Sequence, residues 1–191
     1  VVASRGNDSG KDSGGESGGI AQTRPVTVSG AALPTLPDSG SDPAVGKVIP
    51  DLKGQSFDGS PVVVANDGRA KLIFVVAHWC PHCQKEVPVA TTWLEGKTLP
   101  PRTDVVAISS AVNPSSDNYP PSTWLSKAGW PVPTLADDAK GTASSQLGVS
   151  GFPFFLAVDA EGRVVERTSG EQPVAALDRL LSEAAGTPAA G

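Results

Sequence analysis

Both cysteines and both histidines of this chain lie in one hexapeptide, His78-Trp79-Cys80-Pro81-His82-Cys83. The 191 residues hold no other thiol or imidazole, so the two cysteines have only each other as disulfide partners within the chain. The hexapeptide also constrains local structure. Before it, Lys71–Ala77 is a short apolar run rich in Val, Ile and Phe, which reads as a buried strand. After it, residues 81–96 read as a helix, with Pro81 at a first position that tolerates proline. A strand that ends in Cys-x-x-Cys and reopens as a helix puts the first thiol at a helix N-terminus. Unpaired N–H groups and the macrodipole favour an anion there. The pattern points to thiol–disulfide chemistry.

The rest of the sequence divides by composition. Residues 1–19 are about half Gly and Ser, with too little apolar surface to offset the entropy of ordering. Residues 20–45 add Pro25, Pro34, Pro37 and Pro43 to more Ser, Gly and Ala, and read as extended linker. Residues 1–45 are therefore expected to be a disordered leader or membrane spacer, 46–186 a single domain, and 187–191 a tail. The net charge of -5 argues against nucleic acid, which asks for a basic patch. There is no Met and no apolar run of 18 residues, the longest being Leu72–Ala77. The chain is expected to be soluble. Its Gly/Ser/Pro leader reads as the spacer left when a membrane anchor or secretory signal is removed.

Val48–Leu52 and Val62–Val64 read as a hairpin turning at Asp58-Gly59, with a second turn at Asn66-Asp67-Gly68. Pro88 falls inside the first helix and is expected to kink it. Asp104–Ser109 is another buried strand, and Ser122 is expected to cap a helix through Ala128. Thr134–Ala136 reads as a brief strand and residues 140–147 as a small helix. Pro153–Val158 and Arg163–Thr168 form an antiparallel hairpin around Asp159–Gly162. Pro173–Ala185, with Val174, Leu177, Leu180 and Leu181 on one face, closes the domain as an amphipathic helix. Trp124 and Trp130 read as core. The order β-α-β-α, then β-β-α, describes an α/β domain with a central mixed β-sheet flanked by helices.

Trp79-Cys80-x-x-Cys83, Pro88 five positions later, Gly151-Phe152-Pro153 before the closing hairpin and the turn Asp159-Ala-Glu-Gly162 stand in order. With them, residues 46–186 resemble the thioredoxin superfamily, and within it the extracytoplasmic TlpA/ResA/DsbE-like group. The resemblance implies a thioredoxin-like fold with a short N-terminal β-hairpin extension, a helical insertion at 140–147 and a cis bond before Pro153. It also implies an exposed attacking thiol, Cys80, and a more buried resolving thiol, Cys83. Pro81-His82 resembles the dipeptide of DsbA-type oxidases rather than the Gly-Pro of thioredoxin, although DsbA's long helical insertion has no room here. Phe74 stands where thioredoxin has a buried acid, and Glu86 where ResA-like proteins keep an active-site glutamate. Phe152 is bulkier than the residue usual before the cis-proline.

His82 is expected to turn a hydrogen bond or a positive charge toward the Cys80 sulfur. Stabilising that thiolate stabilises the reduced protein and makes the disulfide more oxidising. The span from thioredoxin, near about −270 mV, to DsbA, near about −120 mV, is about 7 kcal/mol. A thiol with a pKa of about 3.5 gains about 5 kcal/mol of ionisation at pH 7, enough to supply most of it. The expectation is an extracytoplasmic thiol–disulfide oxidoreductase, an oxidant of secreted proteins. It would work as a monomer on cysteine-containing substrates, with a membrane or soluble redox partner and no cofactor beyond the Cys80–Cys83 disulfide. Trp79, Pro81, Phe152 and Pro153 are expected to form the substrate site, and Glu86 to relay protons to or from Cys83. His78 reads equally as functional or as a solvated strand end.

Other readings compete. The TlpA/DsbE-like body and Glu86 suit a thiol reductant of cytochrome c maturation. Soft thiolates and imidazoles in one hexapeptide suit a copper-binding metallochaperone. A zinc site wants four converging ligands, and the only imidazoles lie inside the same hexapeptide. A static disulfide, a peroxidase and a dimeric isomerase are weaker, the last because nothing before residue 46 reads as a dimerisation domain.

Overall fold

The computed structural model describes residues 19–187; the first 18 residues of the expected 1–45 leader and residues 188–191 of the expected 187–191 tail lie outside them. The strands are β1 (Thr27–Ser29), β2 (Asp51–Gln55), β3 (Pro61–Val64), β4 (Ala70–Val76), β5 (Thr103–Ser109), β6 (Thr134–Ala136), β7 (Phe154–Val158) and β8 (Val164–Ser169). The helices are α1 (Pro81–Leu94), α2 (Pro121–Lys127), α3 (Thr142–Gln146) and α4 (Val174–Ala184). Five strands form a mixed sheet in the order β6-β5-β4-β7-β8, and β1-β2-β3 form a small antiparallel sheet.

Every residue of β4 is buried, because the strand has protein on both faces. Leu72 and Phe74 point to one side, toward Phe155, Ala157, Ala90 and Trp93 of α1, and Leu177 and Leu180 of α4. Ile73 and Val75 point to the other, toward Leu52, Val62 and Val64 of the small sheet and Leu147 beside α3. A continuous apolar run, rather than an alternating one, is what two-sided burial demands. β4 pairs parallel with β5 and antiparallel with β7. Phe74 fills its site with edge-to-face contacts to Phe155, at 5.0 Å, and Trp130, at 5.5 Å. Both Trp124 and Trp130 pack against the apolar cluster that contains the two cysteines.

One local expectation is revised. Pro120, not Ser122, is the N-cap of α2, and the helix opens on Pro121 with no side-chain cap. Proline's fixed φ starts the helix where a hydroxyl was expected to. α1 stays helical through Pro88.

Residues 20–45 depart furthest from the sequence reading, because they pack as part of the domain. β1 pairs with β2, and Leu33 and Ala44 are buried in the core. The Leu33 and Leu36 N–H groups donate to the carbonyls of Gln146 and Gly148, each at 2.9 Å. The anchor is Arg167 of β8, whose side chain is wholly buried. Its Nε and Nη2 donate to the two oxygens of Asp42 at 2.9 and 2.5 Å, and its Nη1 to the carbonyls of Pro34 and Leu147 at 2.8 and 2.9 Å. Gly148 makes room for this strap: a Cβ there would lie 2.2 Å from the Pro34 oxygen. Among the described residues no helix is long and apolar enough to cross a membrane.

Burial alone would raise the Asp42 carboxyl, but the Arg167 hydrogen bonds and charge and the Ala44 N–H outweigh it and hold its pKa low. A carboxylate held low stabilises the fold above its unfolded pKa of about 3.9, and that stability is lost as pH falls through the folded value. Asp42→Ala leaves a buried guanidinium uncompensated, so it is expected to cost about 3 kcal/mol near neutral pH. Urea midpoints at pH 7 measure this, and the gap between the two proteins should narrow in acid.

Candidate active site

β4 ends at Val76, and Ala77, His78 and Trp79 carry the chain to Cys80, the N-cap of α1 with Pro81 at the first helical position. The two thiols, both free, sit in different settings. Cys80 is not the exposed thiol expected: the Phe152 loop covers it to 6% exposure, and its Sγ donates to the Phe152 carbonyl at 3.3 Å. Cys83 has no exposure, and its Sγ accepts from the Ala77 N–H at 3.4 Å. Burial pushes the Cys83 thiol far above its ordinary pKa; the Ala77 N–H opposes this, while the Cys80 and Glu86 charges add to it. Of the two, Cys83 is the more deeply buried.

The Phe152–Pro153 peptide bond is cis, and the loop containing it lies across the helix N-terminus. Phe152 and Trp79 meet edge-to-face at 6.1 Å. Trp79 is partly exposed and donates from Nε1 to the Ala111 carbonyl at 2.7 Å. Ala111 takes a left-handed φ of 53°, unfavourable for a residue with a Cβ by about 1 kcal/mol. A groove of about 390 Å³ opens beside this pair, lined by Ala111, Ser144, Val149, Gly151 and Phe152 among others. Another cavity, of about 490 Å³, lies at the opposite end of β4, around Lys71 and Asp104, away from the thiols.

The two histidines behave differently from expectation. His78 is not a solvated strand end; it is fully buried. Its Nδ1 pairs with the Asp117 carbonyl at 2.8 Å and its Nε2 accepts from the Asn113 N–H at 3.1 Å. With one nitrogen donating and one accepting, this is the neutral ring. The His78 carbonyl also receives the Gln84 and Asn118 side-chain amides. His78 therefore pins residues 111–118, the segment whose Ala111 carbonyl holds Trp79. His82 is exposed, and its Nδ1 pairs with Glu171 Oε1 at 2.6 Å rather than with the Cys80 sulfur. Pro81 is exposed beside it.

Glu86, one turn below Cys83, is buried. Its Oε2 accepts from the Gln172 N–H at 2.9 Å, while Oε1 is buried without a partner. Burial raises its pKa, the Gln172 N–H opposes that, and the negative charge of Glu171 adds to it. The structure thus brings buried Cys80, Cys83 and Pro153 together beneath Trp79 and Phe152, with Glu86 one turn below Cys83 and His82 turned to the side. Sequence reading missed Ala111, Glu171 and Gln172, each 32 or more residues from the group it touches. Among the described residues, no three His, Cys, Asp or Glu side chains gather as a metal site.

The Redoxin family model matches residues 44–181 of this sequence. The chain belongs to the Redoxin family. Membership and the vicinal thiol pair make it a thiol–disulfide oxidoreductase. Solved structures share its thioredoxin-like fold. A thiol:disulfide interchange protein of the thioredoxin family from Chlorobium tepidum aligns at TM-score 0.59 and 22% identity, over 73% of this chain and 96% of that one. StoA from Bacillus subtilis aligns at TM-score 0.55 and 17% identity, over 71% and 93%. A secreted Mycobacterium tuberculosis disulfide oxidoreductase homologous to the Escherichia coli DsbE aligns at TM-score 0.55 and 17% identity, over 68% and 93%. At these identities the likeness speaks for the fold.

The Glu86 environment yields a pH signature. A carboxyl whose pKa is raised by folding costs stability once pH exceeds its unfolded value of about 4.3. Glu86→Gln removes that cost, so the reduced variant should gain on wild type as pH rises from 5 to 7.5. Urea denaturation of both reduced proteins across this range tests it. Parallel stability curves would mean that the carboxyl is hydrated.

Proposed function

We propose that this Redoxin-family oxidoreductase works outside the cytoplasm as an oxidant that donates its Cys80–Cys83 disulfide to cysteine-containing proteins. The observation that carries the reading is the division between the thiols: Cys80 at the helix N-cap within reach of the surface, Cys83 sealed beneath it. A substrate thiolate attacks Cys80 Sγ, a mixed disulfide forms, and the Cys80–Cys83 bond breaks with Cys83 leaving. Cys83 takes up a proton, for which Glu86 is the nearest buried carboxyl along α1. A second substrate thiolate then attacks the mixed disulfide and expels Cys80. Substrate has lost two electrons and two protons, and the protein holds two sulfurs reduced. A redox partner removes them to restore the disulfide.

Each neighbouring residue has a part in this cycle. Cys80 leaves from the N-cap of α1, the end of a helix that favours anions. Trp79 and Phe152 flank the sulfur, and the Phe152-Pro153 loop offers backbone against which an extended substrate segment lies. Pro81 starts the helix and leaves His82 facing solvent. The secreted protein among the structural relatives supports the extracytoplasmic setting. The Pro81-His82 dipeptide supports the oxidising direction.

Glu86 favours a second reading, a dedicated reductant of the kind that serves cytochrome c maturation. A buried carboxyl with one free oxygen beneath Cys83 is placed to accept the proton of the resolving thiol as the disulfide closes.

The reduction potential separates the two directions. The pair is equilibrated in glutathione buffers at pH 7 and followed by tryptophan fluorescence. The oxidant reading expects a value near that of DsbA, about −120 mV; one at or below that of thioredoxin, about −270 mV, overturns it in favour of the reductant. With a disulfide-linked peptide as the oxidised partner, Cys83→Ser should accumulate mixed disulfide, its Cys80 thiolate attacking the peptide disulfide and releasing one peptide thiol, whereas Cys80→Ser should accumulate none.

A further inference from the structure

The loop between β8 and α4, residues 170–173, touches three charged or titratable side chains of α1 near the thiols, His82, Lys85 and Glu86. Its Gly170 N–H donates to the Pro153 carbonyl at 2.8 Å, which fastens it to the cis-proline strand. Its Gln172 N–H donates to buried Glu86 at 2.9 Å. Between these two anchors stands Glu171, which takes His82 Nδ1 at 2.6 Å and has Lys85 Nζ at 3.6 Å. An exposed ion pair is ordinarily worth little, because two long side chains must be ordered to make it. Here the acid is ordered in advance by its neighbours on both sides.

We infer that Glu171 is a positioning residue that ties His82 to the β8–α4 loop and restrains the oxidising strength of the Cys80–Cys83 pair. The inference rests on the reading of that pair as the working redox couple. His82 is the side chain between the cysteines that would turn toward Cys80. Held by Glu171, it forms no hydrogen bond to that sulfur, whose partner is instead the Phe152 carbonyl.

The charges that face Glu171 are His82, Lys85 and Glu86, all from α1. When His82 carries a proton, Glu171 cancels a positive charge beside the helix N-terminus. When His82 is neutral, Glu171 presents a bare negative charge there. Either way the acid adds negative charge beside the helix N-terminus and keeps His82 from the Cys80 sulfur, so removing it favours the reduced form of the pair.

Glu171→Gln keeps the shape of the side chain and removes its charge. Its equilibrium with glutathione is expected to move about tenfold toward reduced protein, a rise of about 30 mV for a two-electron couple. Glu171→Asp, which keeps the charge, should stay near wild type. Lys85→Ala should move the potential the other way. The shift in Glu171→Gln should shrink at 1 M salt, where the screening length is about 3 Å. A Glu171→Gln potential equal to or below wild type overturns the inference, as does an equal rise in Glu171→Asp, which would assign the effect to packing. If wild-type protein shows no reversible couple with glutathione, the functional reading itself fails. If wild type cycles and Glu171→Gln does not shift, only the role of Glu171 falls.

Discussion

Burial of β4 on both faces is the constraint on which the rest of the molecule depends. The strand is central in the mixed sheet, and its side chains divide between two apolar layers, one closed by α1 and α4, the other by the small sheet. Neither layer can shift without the other. The chain leaves this fixed strand at Val76 and reaches Cys80 four residues later, so the first thiol is located by core packing rather than by a flexible loop. Functional groups on rigid elements hold their geometry more closely than groups on loops. The cis-proline loop comes from the head of β7, the direct partner of β4. Thiols and substrate loop are therefore registered to one another through hydrogen bonds in the sheet.

Two residues separate the two cysteines along the chain, and that short interval sets them in different dielectric surroundings. Cys80 caps the helix at the surface; Cys83 lies one turn inward among Val76, Ala77 and Val87. An apolar setting disfavours ionisation of Cys83. The proposed exchange uses this asymmetry, with attack at the outer sulfur and departure of the inner one. Glu86 extends the same gradient downward, a carboxyl kept from water and tied by a single backbone N–H.

Much of this was legible in the sequence where physical signals are local. The apolar run of β4, the Cys-x-x-Cys opening of α1, the hairpin of β7 and β8 around Asp159–Gly162 and the amphipathic α4 all announce themselves within a window of about a dozen residues. Residues 20–45 did not. Four prolines and many small residues in that stretch carry no periodicity, and its anchoring depends on an ion pair between Asp42 and Arg167, 125 positions apart. The burial of His78 was equally hidden, since a polar residue after an apolar run reads as a strand end until the loop that covers it is known. The partner of His82 lies 89 positions away in a short loop with no motif of its own. Ser122 was a sound local signal that a neighbouring proline overrode.

The Arg167 clamp joins two segments with no evident connection in sequence. Its Nη1 holds Pro34 in the N-terminal strap and Leu147, five residues before Phe152, at the same time. The strap and the approach to the cis-proline loop therefore share one anchor, and local opening of either releases hydrogen bonds of the other. In folding terms they form one cooperative unit, whose stability sets how firmly the cis-proline loop is held. A pull on residues 34–42 would load Arg167 and, through its bond to Leu147, the approach to that loop, so the strap acts as a stay for it.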